Sequence, residues 1–122
     1  MLQSILAVGI GGFLGSIVRY LITHYVTLNA QSSFPFGTIT VNLVGSFLIG
    51  AIIAMALGND LSRNMRMLLA TGFCGGFTTF STFSYEFFAL LEKGYHGYAF
   101  LYVATSLILG LAFVWLGFYL IK

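Results

Sequence analysis

The chain has 122 residues, of which 59% are hydrophobic and only 7% charged. Soluble domains carry about a quarter charged residues, so a water-facing surface is excluded. A net charge of +2 with one cysteine leaves no basis for a nucleic-acid partner, an internal disulfide or a cysteine-rich metal site.

The ionic residues leave four uncharged stretches, 1–18, 20–59, 67–85 and 94–121. A spanning helix needs roughly 20 mainly apolar residues, and the second stretch must also hold a turn. The pattern predicts an all-α membrane protein, a single four-helix transmembrane domain over 1–122. The first helix is expected at 2–24. It has no basic n-region, and its apolar stretch is too long for a secretory signal. Gly11, Gly12, Gly15 and Ser16 give it a small face of the kind that lets membrane helices approach closely. Arg19 closes it, placed either to snorkel to the interface or to recruit anions at a pore mouth. A polar loop follows at 27–36, where Ser32, Ser33 and Pro35 read as helix-start residues.

The second helix is expected at 37–57. Gly45, Ser46 and Gly50 form its packing face, while Thr38, Asn42 and Ser46 recur every four residues along one side. An asparagine in hydrocarbon needs partners. It either bonds a neighbouring helix or offers its N–H donors to something passing. The loop 58–63 ends this element.

The third segment, 64–91, holds the most informative run, Thr71 to Ser84, with Gly72, Gly75 and Gly76 followed by Thr78, Thr79, Ser81 and Thr82. Such a run makes a poor helix interior, and Thr and Ser favour helix starts. A broken helix is expected. Irregular backbone at membrane depth is tolerated only when buried in protein or lining a watery cavity, and broken helices bind ions at their exposed ends. Phe80 and Phe83, three apart, share a face. Their positive ring edges would attract an anion, although lipid contact is the default for any one phenylalanine here. Ser81, Thr82 and Glu86 continue a polar edge, Glu86 also reading as an interfacial carboxylate. After a polar turn at 92–94, the fourth helix is expected at 98–121. It carries Gly110 and Gly117, and a polar pair four apart, Tyr102 and Ser106.

Four crossings would put Arg63, Arg66 and Lys122 on one side and Arg19 and Lys93 on the other. That is scarcely the asymmetry by which positive charge fixes orientation. Four short helices also cannot easily enclose a polar path alone. Both points favour an antiparallel pair.

Three blocks then carry a family likeness: Gly11-Gly12 through Gly15 to Arg19-Tyr20; Gly37-Thr38 through Asn42 to Gly45-Ser46-Phe47; and the nearly unbroken Gly75 to Phe83. In these the chain resembles the CrcB/Fluc fluoride channel family. Ser16 departs from an expected alanine. The resemblance implies a dual-topology homodimer in a bacterial-type inner membrane, with two antiparallel fluoride pores that export fluoride passively and so give resistance to its toxicity. It implies that Asn42, Phe80 and Phe83 line each pore, with Ser81, Thr82, Glu86 and Tyr102 nearby. It further implies a structural sodium ion at the two-fold axis, held by the backbone carbonyls of Gly75 and Thr78. Fluoride is small, strongly hydrated and a good hydrogen-bond acceptor, so donors such as Asn42, Ser81 and Thr82 suit it. The alternative is a small four-helix proton-coupled exporter. That chemistry needs a carboxylate deep in the first helix, and residues 1–18 contain none. No catalytic constellation is present, so an enzyme is not expected.

Overall fold

The computed structural model describes residues 1–122 and is entirely helical. Helix α1 spans Leu2–Ala30, α2 Phe36–Leu57 and α6 His96–Ile121. All three are long and apolar enough to cross a membrane. With a rise of 1.5 Å per residue they measure about 43, 33 and 39 Å, against roughly 30 Å of hydrocarbon. Between α2 and α6 the chain runs through α3 (Arg63–Arg66), a wider π-helical stretch (Met67–Cys74) and α4 (Gly75–Phe77) without leaving helical backbone. Thr78 then swings out to φ −91°, ψ 161°. Helix α5 restarts at Ser81 and runs to Glu92.

Only 19 of the 122 residues are buried, so the core is thin and the apolar side chains are mostly outside. Phe13, Leu111, Trp115 and Leu120 are all well exposed. A surface of this kind would aggregate in water and is the natural one against lipid tails.

With no hydrophobic drive between helices in lipid, close approach of backbones takes over. Helix α1 lies directly on the third segment. A Cβ at Gly76 would come within 2.6 Å of the Gly12 carbonyl oxygen, and one at Gly72 within 2.8 Å of that of Val8. From the other side, a Cβ at Gly11 or Gly15 would overlap the carbonyl oxygens of Leu68 or Phe73. Helices α2 and α6 make the equivalent contact through Gly50 against Val114 and Gly117 against Phe47. Gly110 does not belong to this set. A Cβ there would meet only the Ser46 hydroxyl, at 3.8 Å.

The end of α1 differs most from the sequence reading, and α6 begins at His96, two residues before the expected start. Helix α1 continues six residues past His24, because nothing between Tyr25 and Ala30 breaks a helix. Asn29 folds its amide back onto the Tyr25 carbonyl at 2.8 Å, and the helix ends only where Gln31 adopts left-handed backbone, φ 47°. The loop therefore begins at Gln31 and not at Thr27. Ser32 and Ser33 do not cap α2. The Ser32 hydroxyl accepts the Phe34 N–H at 3.1 Å, a local turn that competes with capping, and Pro35 takes the N-cap position without a side-chain bond.

Candidate functional site

The residues that interrupt the helix between α4 and α5, Thr78 to Phe80, organise the polar chemistry of the molecule. Asn42, on α2, reaches Thr79 with both ends of its amide. Its Nδ2 donates to the Thr79 carbonyl at 3.1 Å, and its Oδ1 accepts the Thr79 N–H at 2.9 Å. The backbone N–H can only donate, so the reciprocal pair fixes which end of the amide is which. Both readings of Asn42 are relevant: it bonds a neighbouring element, and one N–H of its NH2 group is left over.

This clamp has consequences one turn away. In a regular helix the Thr79 N–H would go to the Gly75 carbonyl, and the Thr82 N–H to that of Thr78. The first is taken by Asn42. The second is taken by the Thr79 hydroxyl, at 3.2 Å. The carbonyl oxygens of Gly75 and Thr78 therefore have no protein donor. The intervening Gly76 carbonyl is satisfied from outside by Arg19, whose Nε donates to it at 2.9 Å. Arg19 thus leans across from α1 onto the third segment, with its terminal nitrogens unengaged.

A groove of about 470 Å³ opens beside the turn. Asn42, Phe80, Phe83 and Ser106 line it together with Ser46, Gly75 and Thr78. Phe80 is 78% exposed, and its ring lies 5.9 Å from that of Phe83. The aromatic series continues from Phe83 to Tyr102 at 4.9 Å. Ser106 presents the molecule's single buried side-chain polar atom without a hydrogen-bond partner.

The other expected residues gather elsewhere. Arg19, Thr38 and Thr82 line a separate polar cavity of about 280 Å³, with Thr23, His24 and Thr79. Thr38, 2% exposed, is thus divided from Asn42 and Ser46, although all three lie on one side of α2. Tyr102 is fully buried and donates its hydroxyl to Glu86 Oε1 at 3.0 Å, so Glu86 has a specific partner from α6. Ser81 is exposed, its hydroxyl 3.4 Å from that of Thr79. The residue that sequence reasoning passed over is Thr79. The signal was available: a threonine three residues before Thr82 at the start of a helix is the ordinary geometry of a capping hydroxyl.

No cluster of acidic, histidine or cysteine side chains suited to a metal occurs. The unpaired Gly75 and Thr78 carbonyls are hard oxygen donors. They fit a small hard cation, as carbonyl oxygens do generally; the Phe77 carbonyl between them likewise has no hydrogen-bond donor.

Long apolar helices and an exposed apolar surface define an integral membrane protein, and the groove and the second cavity both border its one interrupted element. The family model described as CrcB-like protein, Camphor Resistance (CrcB), matches residues 6–118, and the chain belongs to that family. It is 54% identical over 114 residues, 93% of this chain and 88% of the other, to the fluoride-specific ion channel FluC of Chlorobium chlorochromatii. It is 51% identical to the protein of that name from Chlorobaculum tepidum, over 100% of this chain and 97% of the other. The corresponding protein of Gloeothece citriformis is 48% identical over 97% of this chain and 96% of its own length.

Proposed function

We propose that this chain is a fluoride-selective channel that lets fluoride leave the cell passively and so relieves its toxicity. The observation that carries the reading is the Asn42–Thr79 clamp at the edge of a groove lined by Phe80, Phe83 and Ser106. A strongly hydrated anion must exchange its water for donors. Asn42 has one N–H to spare, Ser106 an unpaired hydroxyl, and the two phenyl rings offer positive edges. Thr38, Ser81, Thr82, Glu86 and Tyr102 complete the polar track beside the groove. Arg19, held by the Gly76 carbonyl, lines the neighbouring cavity, where it would attract anions without entering the groove. No fixed cation lines the groove itself, which suits conduction, since a tightly held ion does not leave.

The architecture that goes with this reading is a single four-span domain, multi-pass in a bacterial plasma membrane. The stretch from Arg63 to Glu92 makes the third crossing as a discontinuous helix. At 1.5 Å per residue, neither of its halves exceeds about 23 Å, so the crossing needs both. The working unit is an antiparallel homodimer, inserted both ways round and carrying two pores. The exposure of Phe80 and the open side of the groove support a second copy as the missing wall. Gly75 and Thr78 from both copies would offer four carbonyl oxygens to a structural sodium ion. That ion would supply the positive charge those carbonyls lack.

Purified protein in liposomes loaded with potassium fluoride or potassium chloride, with valinomycin to carry the counter-charge, tests the function. Rapid loss of fluoride with chloride retained is expected. Equal release of both, or of neither, would remove the reading.

A further inference from the structure

The groove and the polar cavity have one lining residue in common, Thr79. Every polar group of that residue is engaged. Its N–H and carbonyl are clamped by Asn42 at 2.9 and 3.1 Å, and its hydroxyl oxygen accepts the Thr82 N–H at 3.2 Å. The same hydroxyl lies 3.4 Å from the Ser81 hydroxyl. The hydroxyl hydrogen is thus the one donor of Thr79 that is not fixed by the clamp, and it can turn towards Ser81 or towards an incoming acceptor.

We infer that Thr79 is the partition through which a small, hydrogen-bond-accepting monovalent anion passes between the polar cavity and the groove, and that it positions Phe80 and Thr82 on either side. This rests on the channel reading above. Three features of the residue serve the role. The Asn42 clamp keeps its backbone out of the helix. The hydroxyl oxygen fixes the start of α5, so Phe83 and Ser81 hold their register. The hydroxyl proton offers a donor that rotates away once the anion has moved on, which binds without trapping.

Thr79→Val keeps the shape and removes the hydroxyl. It leaves the Thr82 N–H without its capping acceptor and the partition without a donor. Thr79→Ser keeps the hydroxyl and removes only a methyl. The measurement is the fluoride current through single channels in planar bilayers, since a purely structural defect changes how many channels are active and not the current each one passes. We expect Thr79→Val to pass a unitary current at least about tenfold below wild type, and Thr79→Ser to stay within about twofold of it. Wild-type unitary current from Thr79→Val, or a serine variant as poor as the valine one, would overturn the inference. If the valine variant does not yield folded protein, Thr79→Cys decides. A small cationic thiosulfonate should stop its current and lower that of the wild type far less, because the wild type's one cysteine, Cys74, is buried although it borders the groove; a Thr79→Cys channel no more affected than the wild type would overturn the inference. Wild-type protein without fluoride current would instead overturn the channel reading itself, and this inference with it.

Discussion

Asn42→Asp exchanges one atom of the clamp and separates two contributions that are otherwise entangled. The new oxygen replaces Nδ2, which donates to the Thr79 carbonyl at 3.1 Å. Two acceptors then face each other, and one hydrogen bond worth roughly 1 kcal/mol is gone. The carboxylate also places a negative charge on the wall of the groove. An anion about 4 Å away, at an effective dielectric near 20, is repelled by about 4 kcal/mol. That corresponds to about a thousandfold in rate, so the charge outweighs the lost bond. Asn42→Ala loses both clamp bonds, roughly 2 kcal/mol of the turn's stability, and adds no charge, so its loss should be at most about thirtyfold. The assay is fluoride efflux from liposomes followed with a fluoride electrode, with the aggregation state checked by size-exclusion chromatography. The expected order is wild type, then Asn42→Ala well below it, then Asn42→Asp indistinguishable from protein-free liposomes. Wild-type efflux from folded Asn42→Asp would refute the placement of Asn42 on the anion path. Equal loss from both variants would mean that the clamp, and not the charge at the wall, decides the rate.

Phe80→Ile and Phe83→Ile keep bulk and apolarity while removing the ring edge, and each should lower fluoride efflux at least about tenfold; unchanged efflux would make the rings simple lipid contacts. Gly75 and Gly76 should behave oppositely when changed to valine. At Gly75 a Cβ has only the Ala70 carbonyl oxygen near it, at 4.0 Å, so the single chain tolerates Gly75→Val and only the proposed pairing suffers, seen as a shift from dimer to monomer in detergent. Gly76→Val meets the Gly12 carbonyl oxygen at 2.6 Å and the Ser16 hydroxyl at 3.1 Å, and should lower the thermal stability of the chain itself. Prolonged replacement of sodium by a large organic cation should silence efflux slowly, and restored sodium should revive it; full activity after verified sodium removal would leave the Gly75 and Thr78 carbonyls to some other purpose.

The order of the helical stretches was legible because charged residues interrupt the apolar runs only near their ends. Where α1 stops was not legible, since Thr27 and Asn29 are tolerated inside a helix. Its end depends on Gln31 taking left-handed backbone, a conformation no glycine or asparagine announced. Among the candidate site residues, spacing along a single helix was a partial guide. Asn42 and Ser46 do meet Phe80, Phe83 and Ser106 in the groove. Thr38 instead lines a different cavity, with Arg19 and Thr82. Nothing in the neighbourhood of Arg19 in the chain points to Gly76, 57 residues away. That bond exists because α1 and the third segment are pressed together by glycines on both sides. Partnerships of this kind depend on tertiary approach, which local periodicity does not encode. The glycine pattern itself was more informative than its individual members, as Gly110 shows by standing clear of any close contact.

The most direct test of the account is the reversal potential of the current across a planar bilayer. Fluoride is set tenfold higher on one side, and chloride makes up the same total ionic strength on the other. A channel that passes fluoride and rejects chloride should reverse close to the fluoride equilibrium potential, about 59 mV in magnitude for a tenfold gradient. A reversal potential near zero would mean that the two halides share the path, and would contradict fluoride selectivity.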